Sequence, residues 1–189
     1  MDPLETFHQE RGDAFAAKDP MAPLSTVASV DASGVPQLRT LVLRDLDGRL
    51  ALFINATSPK WESVSKACAV CTYWPSTQIQ YRISATTEPV PAEIVAESWL
   101  LRPDAPKRMD WFYTQMTPQS SPIEGRDALL NSLQDLNLPD PLVAPDTARG
   151  LYLNPTSIER LDLTQANGVH DRTLYTLEAE EWRVSTLVP

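Results

Sequence analysis

Gln37–Asn55 reads QLRTLVLRDLDGRLALFIN, two runs rich in apolar and β-branched residues on either side of Asp47-Gly48. Asp-Gly tolerates positive φ at both central positions of a tight turn. The stretch therefore predicts a β-hairpin in which RLALFIN pairs back on QLRTLVLRDL. Upstream, LSTVASVD leads into the same strand through ASGVP, a turn with Gly34 and Pro36. Downstream, CAVCTYW and QIQYRISATTEPV form a second antiparallel pair across PST. Between the pairs, TSPKWESVSKA predicts a short helix from Pro59 to about Ala67, with Ser58 as its N-cap. From Pro91 the spacing turns helical in PAEIVAESWLLR, APKRMDWFYTQM and PIEGRDALLNSLQDL. A proline-rich loop follows, and GLYLNP, SIERLDL, RTLYTL and WRVSTLV return to strands. An amphipathic helix with Leu4, Phe7 and Phe15 on its apolar side opens the chain and ends before Pro20 and Pro23. The expected architecture is mainly β: an antiparallel barrel, closed or nearly so, with helices packed outside. Its parts lie in order within one domain over 1–189: helix 2–18, barrel core 24–90, helices 91–136 and strands 149–188.

Composition narrows the function. The net charge is −9 and the basic residues are scattered, which disfavours nucleic acid and anionic membranes as partners. No run approaches the ~18 apolar residues of a membrane span. The opening MDPLETFHQERGD is polar and lacks the pattern of a secretory signal, so the expectation is a cytoplasmic protein. Cys68 and Cys71 are spaced C-x-x-C, but residues three apart on a strand face opposite ways and no second ligand pair exists. They read as two small apolar residues of a buried strand. None of the six glycines builds a dinucleotide fingerprint or a phosphate loop, and no G-x-S-x-G or H-E-x-x-H motif occurs.

Two stretches hold candidate chemistry. Arg39 and Arg44 stand on RTLVLR, and Ser58 and Lys60 begin the short helix. RLALFIN joins the two regions, so they should lie close. Free N–H groups at a helix start, with Ser, Lys and Arg side chains, make a cradle for a phosphate. Arg39 and Arg44 are five apart, so in a regular strand only one reaches it unless a bulge re-aims the other. The plain alternative is a solvated basic strand beside an ordinary capped helix. Near the C-terminus, NGVHDRTLY (Asn167–Tyr175) holds His170, Asp171 and Arg172, on their own merely a turn between strands. His8 reads as a solvated helix residue; Trp61, Trp74, Trp99 and Trp182 read as core.

Together RTLVLR, LFINATSPK, YWPSTQIQ, PQSS, HDRTLY and WRVSTLVP occur in the order and approximate spacing of the pyridoxamine 5′-phosphate oxidase family. The chain resembles that family from Leu24 to Pro189. The resemblance implies an FMN-binding split β-barrel, antiparallel and Greek-key-like. It also implies a homodimer with FMN at the interface. Arg39, Ser58 and Lys60 would hold the FMN phosphate, and Arg44 stands where the family usually has a Lys near substrate and cofactor. Gln80, Gln119 and Ser120 would contact the flavin. Arg172 would approach its ring and stabilise negative charge on reduction, and His170 would lie over the substrate. Arg102 matches an Arg that binds the phosphate of the vitamin B6 substrate.

Departures from the family fall on one side. Gly168 replaces the Arg of Arg-x-His-Asp-Arg, and Ser98 and Pro106 replace the Tyr and Ser that assist Arg102. Leu161 or Asp162 stands where a Trp shields the flavin, and Pro59 replaces the middle residue of Ser-Arg-Lys. The cofactor set is largely kept and the substrate set largely lost. The resemblance thus implies an FMN-dependent oxidoreductase with a substrate other than the B6 phosphate ester. Its alternatives are a true pyridoxamine 5′-phosphate oxidase, with Arg102, Arg44 and Lys107 on the phosphate, and a non-catalytic flavin-binding dimer.

Overall fold

The computed structural model describes residues 2–189. Asp47 and Gly48 take φ of 53° and 82°, the pair of left-handed residues that a two-residue hairpin turn needs. The turn joins β3 (Arg44–Leu46) to β4 (Arg49–Asn55), with Leu46 opposite Arg49.

The expected partner of β4 is corrected by the structure. QLRTLVLRDL is not one strand but two, β2 (Pro36–Val42) and β3, divided at Leu43. β2 pairs with β1 (Leu24–Val30) along its whole length, and only the three residues of β3 pair with β4. At Leu43 the backbone leaves the ladder: its amide donates to Pro23 O at 2.9 Å, and its carbonyl accepts from the Arg11 guanidinium. Its side chain turns into the core.

The sheet runs β2-β1-β5-β6-β7-β4-β3, with β5 (Ala67–Trp74), β6 (Ile79–Pro89) and β7 (Ala148–Asp162) at its centre. β2 and β3 lie on opposite edges of that order, yet Leu43 alone separates them in the chain. The sheet must therefore curl until its edges meet there. The result is a split antiparallel barrel with flanking helices, open along one seam rather than closed. GLYLNP and SIERLDL are a single strand of 15 residues, β7. Ser84 faces Ser157 and Ala85 faces Pro155, so Thr156 is an extra residue. A bulge of this kind absorbs a proline that cannot donate to a ladder. The first half of β7 pairs with β4, while its second half pairs with β8 (Asp171–Glu178), which continues to β9 (Glu181–Thr186).

The curl encloses Val27, Leu52, Trp74, Tyr81 and Ile158. One end is plugged by α1 (Pro3–Ala16), whose Phe7 ring lies 5.5 Å from Trp74 and 4.9 Å from Tyr81. Phe15 does not share that face: it is 50% exposed, beneath the Arg11 guanidinium. Arg11 takes the inward position instead, because its guanidinium satisfies the carbonyls of Ala22 and Leu43. His8 is likewise not simply solvated. Its Nδ1 lies 2.8 Å from Asp45 Oδ2 and its Nε2 3.0 Å from Gly48 O, so it ties α1 to the hairpin.

A second layer explains the near-continuous apolar run of RLALFIN. β4 packs into the barrel through Leu50, Leu52 and Ile54, and under helices through Ala51 and Phe53. The covering helices are α3 (Ala92–Leu100) and α4 (Asp104–Gln115); α5 (Arg126–Gln134) buries no residue. Cys68 is buried and Cys71 half-buried, three apart on β5 and therefore on opposite faces, as their spacing predicts. Trp74 is fully buried and Trp99 nearly so, while Trp61 and Trp182 pack on the core from its rim.

Candidate functional site

The short helix α2 spans Lys60–Val64, and its N-cap position falls on Pro59. Ser58 does not cap it. Ser58 Oγ accepts from Lys60 Nζ at 2.7 Å instead. Five residues sum few peptide dipoles, so the positive character here comes from side chains. On β2, Gln37, Arg39 and Leu41 are half-buried while their neighbours are exposed. Arg39 Nη1 donates to Ser29 Oγ at 2.8 Å, Ser29 Oγ lies 2.9 Å from Ser63 Oγ, and Ser63 Oγ donates to Lys60 O at 3.1 Å. Lys60 Nζ also donates to Gln119 Oε1 at 3.3 Å, and the Gln119 amide donates to Thr57 Oγ1 at 3.2 Å.

Arg39 and Lys60 are thus brought together with neutral partners only. Among the described residues, neither has a carboxylate within ion-pair distance. Burial, and then the positive charge of Arg39, pull the Lys60 ammonium below its ordinary value. Two half-buried cations without a counter-charge destabilise one another until an anion arrives.

Lys60 and Gln119 line one end of a cavity of about 460 Å³ between β4 and the α3–α4 layer. Its walls are Leu41, Phe53, Val95, Trp99, Met109 and Tyr113. Phe53 can stand there because β7 has Gly150 opposite it: a Cβ on that residue would lie 2.9 Å from the Phe53 ring. Arg102 also lines the cavity, but it is engaged. Its guanidinium pairs with Asp110, which is 5% exposed. Burial, then the Asp110 charge, push the Tyr113 phenol up, so its hydroxyl stays neutral.

The remaining candidates stand elsewhere. Ser120 follows Gln119 and is exposed, with φ of 73°. Arg44 is exposed on β3, beyond the Leu43 seam, where its charge is felt by Arg11. Lys107 Nζ lies 3.8 Å from Asp104 and 5.6 Å from the Trp99 ring centroid. Gln80 and Arg172 are both paired with Leu161, so they project from one face of the sheet with β7 between them. That face is opposite the barrel interior, into which Tyr81 points. Arg172 Nε donates to Glu159 Oε1 at 2.9 Å, and the Glu159 carboxylate also holds Arg82 at 3.2 Å. Hydrogen bonding to Glu159, then its charge, push Arg172 up. His170 is exposed in the turn before β8, and Asp171 faces Arg160 at 3.7 Å.

One chain therefore lines a cavity with Lys60, Gln119 and Arg102, sets Ser58 and Arg39 beside Lys60 outside that lining, and carries Gln80, His170 and Arg172 on another side of the sheet. Sequence reasoning missed Asn55, Thr57, Asp110 and Arg149, of which Thr57 touches Gln119 and the others line the cavity. Asp110 had a signal. It lies on the α4 stripe Pro106, Met109, Tyr113, where an apolar residue is expected.

No family model matches the chain. A pyridoxine/pyridoxamine 5′-phosphate oxidase of Pseudomonas entomophila is 31% identical over 198 residues, spanning all of this chain and 89% of that protein. The oxidase of the same name from Shewanella sediminis is 29% identical over 197 residues, with the same shares covered. Among solved structures, PhzG from Burkholderia lata, in complex with tetrahydrophenazine-1-carboxylic acid, superposes with a TM-score of 0.84 at 21% identity. The match covers 100% of this chain and 93% of PhzG. A pyridoxamine 5′-phosphate oxidase-related, FMN-binding protein from Nostoc punctiforme gives 0.81 at 20% identity, covering 100% and 99%.

Proposed function

Because the chain belongs to the pyridoxine/pyridoxamine 5′-phosphate oxidase family, we propose that it is an FMN-dependent oxidoreductase, active as a homodimer, whose substrate is not the B6 phosphate ester. The observation that carries this reading is the pair of half-buried cations without a carboxylate partner, Lys60 in the wall of an apolar cavity and Arg39 beside it. That donor set fits a phosphate dianion, with each charge-assisted bond contributing about 1.5–3 kcal/mol. Ser58, Thr57 and Gln119 supply neutral hydrogen-bonding groups around it.

FMN held by Arg39 and Lys60 would supply hydride-acceptor chemistry for an oxidation, with oxygen or another acceptor as the final oxidant. This chain's residues would do the rest. Arg39 and Lys60 bind the phosphate. Leu41, Phe53 and Trp99 exclude water, and the neutral Tyr113 hydroxyl remains a donor or acceptor at the wall. Gln80, His170 and Arg172 lie apart from this half-site, which supports a pocket completed by a second copy. There Arg172 shares the Glu159 carboxylate with Arg82, so the three groups keep a net positive charge that would face the ring, and His170 would orient the substrate. Residues 1–189 then form one split-barrel domain.

The substrate assignment rests on the cations that a B6 phosphate would need. Arg102 is paired with Asp110, Lys107 lies beside Asp104, and Arg44 is across the seam. PhzG offers a precedent of the same fold: the ligand in its complex is a carboxylic acid with no phosphate. A second reading, oxidation of pyridoxamine 5′-phosphate itself, is favoured by the 31% identity to an oxidase of that name. Growth with excess riboflavin, purification and a visible spectrum test the flavin. Sedimentation tests the dimer. Peroxide release with pyridoxamine 5′-phosphate would select the second reading. Bound flavin that neither reduces with NADH or NADPH nor turns over would select a non-catalytic binding protein.

A further inference from the structure

Asp110 is a carboxylate in a place where the cavity has every reason to be apolar. Its side chain is 7% exposed and its oxygens are fully engaged. Oδ2 accepts from Trp99 Nε1 at 2.8 Å and from the Arg102 guanidinium, and Oδ1 accepts from Asn55 Nδ2 at 3.1 Å. Asn55 is itself locked, since its Oδ1 accepts from the Thr57 amide at 3.0 Å and the Thr57 hydroxyl at 2.8 Å. β4, α3 and the turn after α3 thus all donate to one buried carboxylate on α4. The Arg102 guanidinium in the cavity wall already has its anion.

We infer that Asp110 is a specificity-determining residue that occupies Arg102 in place of a substrate anion, so that the cavity takes an unphosphorylated planar ring. The inference rests on the cavity being the substrate side of the flavin site proposed above, and it deepens that reading. A phosphate brought to Arg102 meets the Asp110 carboxylate at the same guanidinium. Either two anions share one cation in a poorly solvated wall, or the pair breaks and leaves Asp110 buried with less compensation. Among the described residues the nearby cations are engaged elsewhere or exposed: Lys60 is turned towards Ser58 and Gln119, Lys107 lies outside the lining with Asp104 3.8 Å away, and Arg149 is exposed and screened by water. A neutral ring meets none of these costs, because Phe53, Val95, Trp99 and Met109 present apolar surface to it.

The test is equilibrium binding of pyridoxal and of pyridoxal 5′-phosphate to the FMN-loaded protein. The wild type is expected to bind pyridoxal at least as tightly as its phosphate. Asp110→Asn releases Arg102 and is expected to shift the preference towards the phosphate by about tenfold or more. Arg102→Gln, which keeps a donor towards Asp110, should leave the wild-type ratio within about twofold; it serves if Asp110→Asn does not fold. A wild type that prefers the phosphate by about tenfold overturns the inference. So does a folded Asp110→Asn protein with an unchanged ratio, a loss of phosphate affinity on Arg102→Gln, or no binding of pyridoxal at all. Failure of the flavin reading shows separately, as a colourless protein that takes up no FMN. The same two ligands are then titrated against the flavin-free chain, where the same ratios decide.

Discussion

Arg160 and Lys60 are both half-buried cations at the rim of one curled sheet, and their surroundings are opposite. Arg160 donates to Glu10 through Nε at 3.0 Å and Nη2 at 2.7 Å, with Asp162 at 3.2 Å and Asp171 at 3.7 Å. The Tyr81 hydroxyl donates to the same Glu10. Hydrogen bonding to Glu10 pushes Arg160 up, and burial followed by that bond pushes the Tyr81 phenol up. Lys60 has only Ser58 and Gln119, with Arg39 as a like charge. A charge cluster that is closed on itself fastens α1 to the barrel. One left open keeps two like charges without a counter-charge, which costs stability and leaves room for an anion. The contrast separates residues that hold the fold from residues that serve the site.

Replacing Arg39 and Lys60 together by methionine tests that division most severely. FMN affinity should fall at least about a hundredfold, since two charge-assisted bonds of about 1.5–3 kcal/mol each are lost. The melting temperature without FMN should not fall, because a repulsion is relieved. Fluorescence titration and thermal denaturation read the two effects; unchanged affinity would remove the contrast. Glu10→Ala should do the reverse. It leaves Arg160 with weaker partners and the Tyr81 hydroxyl without its acceptor, at a cost of about 3 kcal/mol in urea unfolding. FMN affinity of the folded fraction should stay the same. Tyr81→Phe removes one hydrogen bond to a charged acceptor and should cost about 1.5 kcal/mol in the same assay.

The smallest expected effects are in pH, and they fall at opposite ends of the scale. Burial alone would raise Asp162, but the Thr164 hydroxyl and amide and the Arg160 guanidinium outweigh it and hold the carboxyl below its ordinary value. Its folded value lies beneath the unfolded one of about 3.9, so its stabilisation is present above that pH and is lost as pH falls through the folded value. Acid melts of Asp162→Asn should therefore show a shallower decline below about pH 4 than the wild type. Lys60 acts on binding. In the proposed site protonated Lys60 would hold the phosphate, and its value in the free protein is lowered from 10.5. FMN affinity should weaken as pH rises through that lowered value, earlier than an ordinary lysine would allow, and Lys60→Arg should remove the early decline.

Much of the fold could be read locally. The Asp47-Gly48 turn, the β5–β6 pair and the three helices after Pro91 follow from turn chemistry and periodicity alone. The turn between β8 and β9 is different: Ala179 and Glu180 both take positive φ, which neither residue type announces. The partner of β4 could not, because periodicity says that a strand exists and not where it docks. Leu43 has a strand-like sequence context and breaks the strand only because Pro23 and Arg11 capture its backbone from elsewhere. Ser58 illustrates the same limit. It is a good cap by composition, but its oxygen meets Lys60 first.

By itself the sequence determined which residue types the chain could offer to an anion, in what order, and on which kinds of element, because those properties depend on neighbours a few positions away. Tertiary structure alone decided which of them are neutralised. Lys60 ends among amide and hydroxyl groups, Arg160 among carboxylates, and Arg102 on Asp110, although all are equally charged in the chain. Whether a buried cation is a clamp or a binding group depends on the counter-charge that folding places within about 4 Å of it, and only the curled sheet and its helices set that distance.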